Sequence, residues 1–211
     1  MSILLIHGLG QTADSWRETL EAAGHPADAQ CIELAELALP HPIRYPDLYR
    51  AFADRCDRMP RPLNLCGLSL GSILALHYTV EHPARVRSLV LIGAQFAMPR
   101  RLIGLQNLLF RLMPAGSFRT MGMDKADILA LTRSMATLDF GARLGAISCP
   151  VLVLCGEKDK ANRAAAEALH DRILRAQLRI LPGAGHELNR DDPRTLGRML
   201  RAFWNAPDAP V

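Results

Sequence analysis

Short apolar runs alternate along the chain with segments of helical length. Ile3-Leu4-Leu5-Ile6, Pro62-Leu-Asn-Leu-Cys66, Val86 to Ile92, Val151-Leu-Val-Leu154 and Leu178 to Leu181 are compact runs bounded by Gly, Pro or polar residues. That is the pattern of strands buried on both faces. Cys31-Ile32-Glu33-Leu34 is a weaker strand. Between these runs apolar residues recur every three or four positions. Trp16, Leu20 and Ala23 mark one helix over about 14–23, and Leu48, Phe52, Cys56 and Met59 mark another. Further helices are predicted from Ser72 to about His82, stopped by Pro83, and from about Ala161 to Leu174. A C-terminal one carries Leu196, Met199, Leu200, Phe203 and Trp204 on one face. Residues 35–46 read as a loop in which Pro40, Pro42 and Pro46 break any element. Strands alternating with helices predict parallel pairing and an α/β fold. Residues 95–148 stand apart: they hold no clear strand, 95–123 are rich in Leu, Met, Phe and Arg, and 124–146 read as helical.

Composition narrows the class. The chain has 211 residues, 49% apolar and 22% charged, which suits one globular domain. The net charge of +4 comes from scattered arginines, apart from Arg100-Arg101 and the loose run Arg50, Arg55, Arg58, Arg61. Neither a concentrated basic face nor a nucleic-acid motif is present, so nucleic acid is not the expected partner. The five cysteines, Cys31, Cys56, Cys66, Cys149 and Cys155, are odd in number and lack a CxxC spacing. They read as reduced thiols of a cytoplasmic protein, with neither a disulfide framework nor a metal site. The first residues lack a basic signal-peptide region, and no run reaches the roughly 18 apolar residues of a membrane span.

In open parallel sheets ligands sit beyond the carboxyl ends of the strands. The residues there are His7-Gly8-Leu9-Gly10, Gly67-Leu68-Ser69-Leu70-Gly71, Gly156-Glu157-Lys158-Asp159 and Gly183-Ala184-Gly185-His186. Ser69, flanked by glycines two positions away, can occupy a sharp strand-to-helix turn; it could equally be an ordinary helix N-cap. His186 could be a base or a solvated loop histidine. Asp159 could orient that base or cap the helix that follows, and Glu157 is close enough to rival it. The chain order Ser69…Asp159…His186 is that of nucleophile-elbow hydrolases, and each residue follows a strand, where that mechanism needs it.

On these pieces, together with His82-Pro83 and the Val86–Ile92 and Pro150–Gly156 runs, the sequence resembles the α/β-hydrolase family over nearly its whole length. The resemblance implies Ser69 as nucleophile, His186 as general base, Asp159 as the acid, and the backbone N–H groups of Leu9 and Leu70 as oxyanion hole, with no metal or cofactor. Asp139 is a further rival to Asp159. It implies an α/β-hydrolase fold with a mostly or fully parallel sheet of about six strands, since the His-Gly loop begins at residue 7 and the family's usual first two strands are lacking. The Cys31–Leu34 strand would then be an exposed edge, open to homodimer pairing or covered by a loop. Residues 95–148 would be a short helical cap on a single domain. Its apolar residues, from Phe96 and Met98 to Leu112 and Met113, would wall an acyl group or simply pack on the sheet. The expected activity is hydrolysis of small or medium carboxylic esters through an acyl-enzyme. Thioesters, lactones and carbon–carbon bonds beside a carbonyl are open to the same machinery, and a non-catalytic receptor is the other class. His7 is expected to be structural, Asp14 to cap the first helix, and Ser72, where many relatives have glycine, to matter only modestly.

Overall fold

The computed structural model describes residues 2–37, 40–98 and 124–206. Strands β1 (Ser2–Ile6), β2 (Ala29–Ile32), β3 (Leu63–Leu68), β4 (Val86–Ile92), β5 (Val151–Gly156) and β6 (Ala176–Leu181) form one sheet in the order β2-β1-β3-β4-β5-β6. Every neighbouring pair is parallel. The predicted six-stranded, fully parallel sheet is therefore present.

The continuous apolar runs follow from helices on both faces. Leu4, Ile6, Leu63, Leu65, Leu89, Leu91, Val151 and Val153 point into one core. There they meet Leu48, Phe52 and Cys56 of α2 (Tyr45–Asp57), Ile73 and Leu74 of α3 (Leu70–Glu81), and Ala166 and Leu169 of α5 (Lys160–Arg172). Ile3, Leu5, Cys66, Leu68, Val90, Ile92, Leu152 and Leu154 point into the other. That face is covered by Trp16, just before α1 (Arg17–Ala22), by Leu188 of α6 (Leu188–Asp191), and by Leu196 and Leu200 of α7 (Pro193–Asn205). Each fully buried Leu or Ile in these layers adds about 1.5–3 kcal/mol.

Three local expectations are corrected. The second strand begins two residues earlier than predicted and ends at Ile32, with Leu34 already in a 3-10 turn. β1, its only neighbour among the described residues, pairs with it from Ile3↔Ala29 to Ile6↔Ile32, and pairing stops where β1 stops. Pro46 does not break an element but lies in the first turn of α2, where a missing N–H costs nothing. Asp14 makes no capping bond; it lies inside a 3-10 turn (Ala13–Trp16) and reaches Arg17 on the surface, 3.7 Å away.

Within 95–148, an isolated antiparallel bridge joins Ala97 to Asp139. α4 (Lys125–Met135) is fixed to the segment before α2, where the buried Asp127 carboxylate accepts the Ile43 N–H at 2.9 Å and Ser134 Oγ accepts the Tyr45 N–H at 2.8 Å. Residues 99–123, expected to form part of a cap and including Leu112 and Met113, lie outside the described residues. No helix among the described residues is long and apolar enough to cross a membrane.

Candidate active site

The carboxyl ends of β1, β3, β4, β5 and β6 deliver one site. The β3–α3 turn is the sharpest feature. Ser69 has φ 53° and ψ −113°, a conformation a side-chain-bearing residue rarely adopts and one that costs about 1–3 kcal/mol. Glycine makes it possible on both sides. A methyl group on Gly67 would lie 2.3 Å from the Gly71 carbonyl oxygen, and one on Gly71 would lie 2.2 Å from that of Ile6. The turn is also tied to β4. The Ser69 N–H donates to the Ile92 carbonyl at 2.9 Å. Ser72 Oγ lies 2.6 Å from the Gly67 carbonyl oxygen, to which it donates, and 2.9 Å from the Ile92 nitrogen, from which it accepts. Ser72 is thus a strut between β3 and β4, a larger role than its sequence position suggests.

Ser69 makes no side-chain capping bond, and the residue is partly exposed at the start of α3. The Leu70 N–H is the first of that helix, a donor with no intrahelical partner. The loop after β1 runs against the serine: a methyl group on Gly8 would sit 3.4 Å from Ser69 Cβ. This brings Leu9, partly buried, to the same end of the sheet.

His186 and Asp159 meet. His186 Nδ1 lies 2.7 Å from Asp159 Oδ2. Asp159 is buried, with 7% of its surface exposed, and its carboxylate engages both the imidazole and the Asn162 side chain in the first turn of α5. The hydrogen bond to Asp159, working against partial burial, raises the His186 pKa above its ordinary value. Burial pushes the Asp159 carboxyl up, but the hydrogen bonds from His186 and Asn162 outweigh it, and the net shift is downward. The imidazole lies against the residue that follows β4. Gly93 follows Ile92, the residue bonded to Ser69, and a methyl group on it would lie 2.7 Å from His186 Cε1.

The rival carboxylates are engaged elsewhere. Glu157 Oε2 accepts the Gly183 N–H at 2.7 Å, and Asp139 Oδ1 accepts the Gly141 N–H at 2.8 Å. His7 is buried, as expected of a structural residue: Nδ1 sits 2.8 Å from the Gly8 carbonyl oxygen and Nε2 3.0 Å from Glu33 Oε1. Partial burial raises the Glu33 pKa, but the Ala13 N–H and the His7 ring prevail and hold it below the usual carboxylate range.

Two arrangements had no signal strong enough to be read in the sequence. Gln11 and Asn189, both buried, form a reciprocal amide pair, with Gln11 Nε2 3.2 Å from Asn189 Oδ1 and Asn189 Nδ2 3.1 Å from Gln11 Oε1. They join the loop after β1 to α6, three residues beyond His186. Asn162, one helical turn after Asp159, lies 2.9 Å from both of its carboxylate oxygens. The one available hint was that i,i+3 spacing.

Comparisons with known proteins identify the family. The model of the "Alpha/beta hydrolase family" matches residues 3–197. The chain is 26% identical, over 99% of its length and 93% of the relative's, to a provisionally assigned carbamate hydrolase, RutD, of Variovorax paradoxus. It is 23% identical, over 87% of its length and 88% of the relative's, to a pimeloyl-[acyl-carrier protein] methyl ester esterase of Nitrosomonas europaea. Among solved structures, a hydrolase from Pseudomonas aeruginosa shares the fold with TM-score 0.81 at 20% identity, covering 97% of this chain and 90% of that one. With the family model spanning nearly the whole sheet and every post-strand loop of the site, the chain belongs to the alpha/beta hydrolase family.

Proposed function

We propose that this hydrolase cleaves small or medium carboxylic esters by a serine acyl-enzyme mechanism, with Ser69 as nucleophile, His186 as general base and Asp159 as its orienting carboxylate. The observation that carries the reading is the 2.7 Å His186–Asp159 bond, set at the same sheet end as a serine held in a strained turn.

Serine is a weak nucleophile at its own pKa. His186, its Nδ1–H donated to Asp159, presents a free Nε2 to take the Ser69 proton as Oγ bonds to the ester carbonyl carbon. The carbonyl electrons move onto oxygen, and the N–H groups of Leu70 and Leu9 stabilise that oxyanion, each by about 3 kcal/mol. The imidazolium, stabilised by Asp159, returns its proton to the leaving alkoxide. Water then attacks the acyl-enzyme by the same route and frees the acid and Ser69. Residues 95–148 are read as a cap on the single domain; Phe96 and Met98 pack against the sheet's core. The relatives that act on esters and carbamates support an acyl-transfer substrate.

Labelling with a fluorophosphonate probe, read by intact mass, tests the mechanism without knowledge of the substrate. One adduct on the native chain and none on Ser69→Ala is the expected result. No adduct on a folded native chain would overturn the reading in favour of a receptor. An ester, thioester and lactone panel then sets the substrate class. The unpaired side of β2 supports homodimer formation through that edge, and a monomer mass in light scattering would rule it out.

A further inference from the structure

Beside the His186–Asp159 pair runs a chain of side-chain amides that the mechanism above leaves unused. Asn162 Nδ2 lies 2.9 Å from Asp159 Oδ1, 2.9 Å from Asp159 Oδ2 and 3.2 Å from His186 Nδ1. Gln95 Nε2 lies 2.8 Å from Asn162 Oδ1. An ionised carboxylate only accepts, so the Asn162 NH2 group must face Asp159 and its oxygen must face Gln95. The bond from Gln95 fixes that choice. Gln95 stands two residues beyond Gly93, the position whose missing side chain leaves room for the imidazole. One loop, after β4, therefore supplies both the space for His186 and the support for Asn162.

Resting on the serine-hydrolase reading, we propose that Asn162 is a positioning residue for the reaction, acting through Asp159, with Gln95 holding its amide in register. A carboxylate held only by His186 can rotate about its Cβ–Cγ bond. A donor shared between both oxygens pins the carboxylate plane, so that Oδ2 stays on the imidazole. The shared donor also draws charge from the carboxylate and so limits how strongly Asp159 holds the protonated imidazole. Removing it has two consequences. The productive orientation is populated less, which lowers kcat and leaves KM nearly unchanged. The imidazolium is held more tightly, so the acid limb of kcat/KM moves to higher pH. Among the described residues, Glu187 and Asp191 of its own segment also act on the His186 ring. Asp191 is engaged with the Gly185 N–H, and both are left intact by changes at Asn162.

The discriminating variant is Asn162→Asp. It is nearly isosteric, and an acidic residue in the first turn of α5 is favourable to the helix. If Asn162 only serves the helix, Asn162→Asp leaves activity unchanged. If it positions Asp159, a donor becomes an acceptor and a second negative charge faces the pair. The measurement is kcat, KM and the pH profile on p-nitrophenyl acetate, together with the fluorophosphonate labelling rate, for the native chain, Asn162→Asp, Asn162→Ala and Gln95→Ala. Asn162→Asp should lower kcat and the labelling rate by about tenfold or more, as expected when a catalytic group loses its orientation. KM should stay within about twofold and the acid limb should rise by about half a pH unit or more, the direction a nearby added carboxylate dictates. Asn162→Ala should move the same quantities in the same direction. Gln95→Ala, a change at a half-buried loop residue, should do so more weakly and provides the test if α5 tolerates neither change at Asn162. Native labelling with all folded variants matching the native rate and acid limb would overturn this inference alone. Absence of native labelling would overturn the serine-hydrolase reading and this inference with it.

Discussion

Gly93 and His186 share one volume: the Cβ that any other residue would carry at Gly93 falls 2.8 Å from His186 Nδ1 and 3.4 Å from Asp159 Oδ2. The residue that follows β4 therefore sets where the imidazole rests. It does so one peptide away from the carbonyl that holds the Ser69 N–H.

Gly93→Ala should in consequence be severe for activity and mild for folding. The added methyl group must push the ring, and a displacement of about 1 Å at a catalytic group costs on the order of 100-fold in rate. The positive φ of 56° adds about 1 kcal/mol of strain for alanine. Ester hydrolysis and thermal unfolding, measured on the same preparation, separate the two effects. Activity within a few-fold of native would show that the ring has another place to go.

The pH profile follows from the raised His186 pKa. In the role proposed for it His186 must be neutral, so the acid limb of kcat/KM should lie above the ordinary histidine value of about 6.5. Asp159→Asn removes the main cause of the shift. The limb should fall toward or below 6.5, and kcat should drop by about 10³–10⁴, the loss expected when the imidazole loses its tautomer. Stability carries the same signature. The His186 contribution is present below its unfolded pKa and is lost as pH rises through the raised folded value. The Asp159 contribution is present above its unfolded pKa and is lost as pH falls through the depressed folded value. Denaturation midpoints across pH for native and Asp159→Asn chains should diverge most between those limits.

Ser72→Ala removes a hydroxyl that bonds two strands. The Gly67 carbonyl and the Ile92 N–H each lose a buried partner, so unfolding in urea should show a loss of about 1–3 kcal/mol with an unchanged m value. An unchanged midpoint would show that neighbouring strands satisfy both groups without it.

Asn189→Ala breaks the amide pair that ties the loop bearing Leu9 to the segment bearing His186. The buried Gln11 NH2 group, left without its Asn189 acceptor, should cost about 1–3 kcal/mol. Because the pair joins the loop of the proposed oxyanion donor Leu9 to the segment of the proposed base His186, kcat should fall more than KM rises. An equal native kcat in a destabilised Asn189→Ala would confine the pair to stability.

The sequence carried the architecture because the sheet is buried on both faces. Leu4, Ile6, Leu89 and Leu91 face one helical layer while Ile3, Leu5, Val90 and Ile92 face the other, and that demand writes unbroken apolar runs. It carried Ser69 as well, because the turn needs glycine at 67 and 71 and so leaves a readable spacing. His186 and Asp159 were legible through their post-strand positions and their order. The edge strand was placed imprecisely, since β2 keeps only Ile32 among its residues fully buried and its limits are those of β1. What the linear chain left open were choices between side chains of equal chemistry. Glu157, Asp139 and Asp159 are alike as carboxylates, and only the packed loops decide that the first two turn to backbone N–H groups and the third to the imidazole. Asn162, Gln95, Gln11 and Asn189 are ordinary polar residues until folding brings separate loops within hydrogen-bond reach. Hydrophobic burial is periodic and can be read along the chain. The pairing of polar groups across loops is directional and long-range, and it exists only once the tertiary structure sets the distances.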